Sequence, residues 1–113
     1  IPALFTPSDS LAEALKKHSE KQSDPLWRLP LWNGYREMLN SQTADINSAP
    51  DSGYAGAITA ALYLKEFVTK TKDWAHTDMM AWNMSKRPGR PAGGEAMAVR
   101  ALFSYITERF GKE

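Results

Sequence analysis

The rhythm of apolar residues changes several times along the 113-residue chain, and each change marks an element. Val99, Leu102, Phe103, Ile106 and Phe110 recur at spacings of 3, 1, 3 and 4. That is the period of an amphipathic helix, and Gly111 is placed to end it. From Tyr54 to about Lys70 the sequence "YAGAITAALYLKEFVTK" is apolar on nearly every side as far as Leu64, which predicts a buried helix. Its small residues, Ala55, Gly56, Ala57, Ala60 and Ala61, leave room for a neighbouring layer. "WAHTDMMAW", residues 74–82, closes on four apolar residues in a row, as a strand covered on both faces would.

Elsewhere the pattern is broken by prolines and polar runs. "TPSDSLAEALKKHSEK" starts a helix either with Thr6 as N-cap and Pro7 behind it, or with Ser10 and Glu13 as a capping box. The helix should run to about Lys21 on a thin stripe of Leu11, Ala14 and Leu15, leaving Lys16, Lys17 and Glu20 in water. In "SDPLWRLPLW" the prolines at 25 and 30 exclude a continuous helix, so extended chain is expected, anchored by Trp27 and Trp32. Tyr35, Met38 and Leu39 stand at i, i+3 and i+4, enough for two helical turns; residues 43–47, "TADIN", read as a short strand, and "SAPDSG" as a loop. The expected order is helix, helix, short strand, helix, strand, helix. Two strands do not make a stable open sheet, so residues 1–113 read as a portion of a single α/β domain and not a complete one. The start on "IPALF", without Met, fits an internal segment.

Composition changes this picture little. Fourteen basic and thirteen acidic residues leave a net charge of +1, so no global field draws the chain to nucleic acid or an anionic membrane. The absence of Cys removes disulfide frameworks, thiolate nucleophiles and Cys-rich zinc sites, and fits a reducing, cytoplasmic setting. No run of eighteen apolar residues and no signal-peptide pattern occurs.

Four stretches carry candidate chemistry. "SKRPGRPAGGEA", residues 85–96, has the cations Lys86, Arg87 and Arg90 beside a double glycine. Three phosphate contacts would give a log–log salt slope of only about −2.7, which is weak binding. A phosphate cradle at Gly93 and Gly94 is opposed by Glu95, whose charge instead suits the start of the following helix. The cations are therefore expected to face solvent or a neighbouring subunit. "DSG", residues 51–53, has the letters of an aspartic protease site, but "NSAP" before it is no apolar strand. His76 and Asp78 are two apart on a strand, hence on one side of it, where a hydrogen-bonded structural pair is favoured over a metal site lacking a third ligand. No GxSxG, HExxH or GxxxxGK[ST] motif is present.

Taken in order, "DPLWRLPLW", "YREML", "ADINSAP", "GAITAALYLKEFV", "WAHTDMMAW" and "GRPAGGEAMAVRAL" resemble the C-terminal part of the leucyl aminopeptidases, the two-metal cytosol aminopeptidase family. The resemblance implies a C-terminal fragment of a mixed-sheet, three-layer aminopeptidase catalytic domain. The implied parent releases N-terminal amino acids from peptides with two divalent metal ions, zinc or manganese, as a homo-hexamer in the cytoplasm, with no nucleic acid or membrane partner. Metal pairs of this kind activate a water and polarise the scissile carbonyl. The family's "NTDAEGR" motif is absent here, so the chain is expected to hold no metal ligand and no catalytic Lys or Arg, and to be inactive without the rest of the polypeptide. By the same resemblance Met80 and Asn83 belong to the wall of the substrate pocket; for Met80 plain core packing is the competing reading. An autonomous, non-enzymatic, helix-rich interaction module is the alternative to an enzyme fragment.

Overall fold

The apolar N-terminal segment, which has no helical period, forms the strand on which the rest assembles. The computed structural model describes residues 1–50 and 52–111. Strand β1, Ala3–Phe5, buries Leu4 and Phe5 almost completely. Helix α1, Asp9–Lys21, then crosses over to β2, Trp27–Arg28, which pairs with β1 in parallel, Ala3 opposite Trp27 and Leu4 opposite Arg28. A parallel return needs such a crossover, and α1 supplies it. On the other side of β1 lies β3, His76–Asp78, antiparallel, with Phe5 opposite His76, which makes a three-stranded sheet in the order β2-β1-β3. Both β1 and β2 were absent from the expected element order: three and two residues are too few to show a period.

Helix α1 is capped by neither expected residue. Ser8 is the N-cap, its Oγ accepting the Leu11 N–H at 3.2 Å, while Thr6 Oγ1 accepts the Ser8 N–H at 3.1 Å. Ser8 wins because its hydroxyl stands three residues before a donor that has no partner in the first turn. The buried face is Leu11, Leu15 and His18, one stripe at i, i+4 and i+7, and Leu4 joins it with Leu26, Leu102 and Tyr105 to form the core.

The expected turns after Trp32 form a 3-10 helix, Asn33–Leu39, that buries Leu39. Gly34 lets the Trp32 indole lie close to the backbone, where a Cβ would displace the ring. Residues 43–45 form a bend, and no strand occurs over 43–47. Helix α2, Gly56–Lys65, is shorter than its apolar run and buries only Thr59, Ala61 and Leu62; it packs on the 3-10 helix, and Arg36 bonds Glu66 just beyond its end. A second sheet pairs β4, Trp82–Asn83, with β5, Gly93–Gly94, and helix α3, Val99–Phe110, closes the described chain against α1.

The resulting body measures 48 × 37 × 18 Å. Its radius of gyration, 16.1 Å, exceeds the roughly 13 Å of a compact domain of this length. Several expected core residues account for this shape: Trp27 and Trp32, read as anchors, are 66% and 59% exposed. They do not anchor this chain because no described layer covers their side of it.

Candidate functional site

Strand β3 delivers Met79 and Met80 to a reversal at Ala81, whose φ of 54° turns the chain into β4. The strand expected over residues 74–82 is thus two short strands with a kink between them. Glu95 N–H bonds the Ala81 carbonyl at 2.9 Å, and the register sets Trp82 opposite Gly94 and Asn83 opposite Gly93. Gly93 has φ +110°, a conformation closed to side-chain-bearing residues without strain, and the Trp82 ring lies beside the place a Cβ would occupy.

Asn83 and Met80, the two expected pocket residues, are placed differently. Met80 is exposed. Asn83 is buried, and its amide is used on both ends. Nδ2 donates to the Pro91 carbonyl at 3.0 Å and to the Glu95 carboxylate; Oδ1 accepts from Arg87 Nη2 at 3.0 Å. Arg90 Nη1 also donates to Glu95, and the backbones of Arg87 and Arg90 exchange two hydrogen bonds, of 2.8 and 2.9 Å, around Pro88 and Gly89. Arg90 therefore belongs to the inner bracing of its loop, contrary to the expectation that it faces solvent, because the near-buried Glu95 needs its donor; Arg87 stays exposed as expected while its guanidinium holds the Asn83 amide. Lys86 also matches that expectation, being exposed.

Glu95 likewise does not serve the start of α3. That helix begins four residues later, at Val99, and its cap is remote: Asp24 accepts the N–H of Ala98 on Oδ1 and that of Ala101 on Oδ2, both at 3.1 Å. Arg100 approaches the same carboxylate at 3.5 Å. A small cavity of about 210 Å³ lies between these groups, lined by Arg87, Arg90 and Arg100. Each of the three is already tied to an acceptor, so the cavity is no ready anion site.

A larger groove, of about 600 Å³, runs between α1 and α3. At its floor the buried His18 bonds Ser104 Oγ through Nδ1 at 2.7 Å and Glu108 Oε2 through Nε2 at 2.6 Å. The bond from His18, helped by the Lys17 charge, holds the Glu108 carboxyl below the usual glutamate range. Sequence reasoning missed this group, although His18 extends the Leu11 and Leu15 stripe by one turn and could have been placed on the buried face by that spacing.

His76 and Asp78 do not form the expected hydrogen-bonded pair through Nε2: that atom is buried without a partner among the described residues, and Asp78 is exposed. The ring is held by stacking on Phe5, centroids 6.0 Å apart and planes at 21°. Asp51 of the "DSG" stretch lies outside the described residues. Among those described, no group of three or more His, Cys, Asp or Glu side chains could hold a metal ion, and no helix is long and apolar enough to cross a membrane.

Comparison with known proteins gives one consistent answer. Residues 1–103 match the family described as cytosol aminopeptidase family, catalytic domain. The probable cytosol aminopeptidase of Prochlorococcus marinus (strain MIT 9313) is 43% identical over 109 residues, covering 94% of this chain and 22% of that protein. The crystal structure of the Coxiella burnetii cytosol aminopeptidase superposes on 96% of this chain and 24% of its own, at 53% identity and a TM-score of 0.89. The bottromycin maturation enzyme BotP, in complex with Mn, is 35% identical over the same share of this chain, with a TM-score of 0.88. The chain thus spans less than a quarter of the relatives it matches.

Proposed function

The chain belongs to the cytosol aminopeptidase family, and from that premise we propose that it is a C-terminal portion of the catalytic domain of a metal-dependent enzyme that releases N-terminal amino acids from peptides. The observation that carries this is the agreement of 96% of the chain with a cytosol aminopeptidase at 53% identity and a TM-score of 0.89. Fold and residue identity are then supported together, where either alone would leave the activity open.

The metal is divalent, manganese or zinc; a relative crystallised with Mn supports it. The residues described here do not fit such a centre, for they bring no three ligating side chains together. No step of the reaction is therefore assigned to them. The metal ligands and the catalytic Lys and Arg lie in the rest of the polypeptide, and the 113 residues alone are inactive. In the whole enzyme, a cytoplasmic homo-hexamer, this portion supplies part of the pocket wall. Met80, exposed beside the Ala81 reversal, meets the substrate's first side chain. Asn83 contributes to the same wall by fixing the loop from Arg87 to Glu95 beneath it. A stand-alone interaction module fits less well with a chain that matches a peptidase catalytic domain over residues 1–103.

The test is peptide hydrolysis by the full-length protein. Release of leucine from a leucyl peptide, abolished by a chelator and restored by manganese or zinc, is the expected result. Failure to turn over any such peptide with either metal, or turnover by residues 1–113 alone, would overturn the reading.

A further inference from the structure

Helix α3 has two sides fit for packing, one mixed and one apolar, and only the mixed one is used. Successive helix residues turn by about 100°, so Ala101, Ser104, Tyr105 and Glu108 form one side, and this side meets α1: Ser104 and Glu108 bond His18, and Tyr105 packs on the Leu4, Leu11 and Leu15 core. Val99, Phe103, Ile106 and Phe110, spaced 4, 3 and 4, fall on the opposite side, where they are 56%, 71%, 52% and 65% exposed. Leu102 is directed between the two, to the core with Leu4 of the sheet, and the side away from the sheet carries Arg100 and Thr107. The helix therefore has a helix on one flank, the sheet below, polar residues above and an apolar flank with nothing against it.

The seam has the spacing of a helix–helix contact. Four large apolar side chains in one line exceed what a solvent face carries by chance. The surface of the whole chain makes the same point in area: 8167 Å² is accessible, against roughly 6,200 Å² for a folded monomer of this mass. An excess of about 2,000 Å² is the amount a permanent interface removes.

We propose that the Val99–Phe103–Ile106–Phe110 seam is the seat of a further helix in the same layer as α1 and α3, and that this helix comes from the part of the same polypeptide outside these 113 residues. The occupant is chosen by length. Relatives of which this chain covers 22% and 24% hold more than enough further chain to supply it, whereas a second copy of this segment would leave the excess on the other faces uncovered. The inference rests on the aminopeptidase reading for the existence of that further chain, but not for its chemistry.

A photo-reactive benzophenone side chain at position 103 of the full-length protein tests it, read by intact mass and by the identity of the linked peptide. The same label at position 99, at the end of the seam, serves where bulk at 103 disturbs folding. The expected product has the mass of one chain, with the link to a helical peptide outside residues 1–113. A product of doubled mass would assign the seam to a contact between copies. Linkage no greater than that from the exposed control position 16 would leave it facing solvent. Either result overturns the proposal. Peptidase activity is measured on the same sample: an inactive protein with the expected link would sink the aminopeptidase reading and leave the seam intact.

Discussion

The Asp24 carboxylate caps a helix that begins 75 positions further along the chain, accepting the Ala98 N–H at 3.1 Å and the Ala101 N–H at the same distance. Two donors that no residue of α3 can satisfy are thus answered from the turn that follows α1, which ties that turn to the start of α3. Asp24 is itself buried, so its charge depends on these donors and on Arg100.

Asp24→Ala in the full-length protein should therefore cost about 2–3 kcal/mol, since two buried N–H groups lose their acceptor. Asp24→Asn should cost less, because one amide oxygen still accepts. Urea unfolding curves decide this; a loss below about half a kcal/mol for the Ala variant would mean that water replaces the carboxylate.

The bond between His18 and Glu108 predicts a sign for acid stability. A carboxyl held below its ordinary value contributes stability that is complete above that value and is lost as pH falls through the lowered one. Glu108→Gln should consequently be less stable than the parent at neutral pH, with the gap closing at pH values below the ordinary glutamate range. A gap of constant size in thermal midpoints across that range would show that the His18 contact does not favour the ionised form.

Lys86 and Asn83 should separate cleanly. Lys86→Ala should change stability by less than about 0.5 kcal/mol, as exposed positions do. Asn83→Ala should lose about 1–3 kcal/mol by leaving the near-buried Glu95 carboxylate with Arg90 as its one side-chain donor and removing the acceptor of Arg87. Equal thermal midpoints for the two variants would contradict the bracing described for this loop.

Ala81 sits at φ 54°, where a Cβ is strained by about 1–2 kcal/mol. Ala81→Gly should then raise stability by about 0.5 kcal/mol once the added freedom of the unfolded chain is deducted. A drop in the unfolding midpoint would show that Ala81 makes packing contacts worth more than its strain.

Met80→Ala should alter selectivity more than turnover. Shortening an apolar wall discriminates by about tenfold in kcat/KM between a large and a small first residue. Leucyl and alanyl substrates compared on the full-length variant give the ratio; an unchanged ratio would return Met80 to simple packing.

What could be read from the chain was what local periodicity encodes. The spacing around Phe103 gave the body of α3 and Gly111 its end, and Lys21 ended α1 as expected, because the apolar period is local to each helix; the start of α3, expected near Glu95, lies at Val99. The side each apolar residue would face was not legible. Phe103 and Trp27 read as interior residues, and with respect to these 113 residues they are not, for no described element packs over them. Strand β1 was too short to show alternation, and the Asp24 cap spans a distance no local pattern reports. Of the candidate site, Met80 and Asn83 rested on resemblance, while the direction of the Asn83 amide followed only from its neighbours.

The exchange of two backbone bonds between Arg87 and Arg90 makes the chain beyond them a closed side-branch: it leaves the loop at one residue and re-enters at almost the same place. The exposed tip at Pro88 and Gly89 therefore lies beyond the pair that ties the loop to Asn83. A short epitope or a fluorophore-bearing peptide grafted there would leave from a point where the chain has already closed on itself.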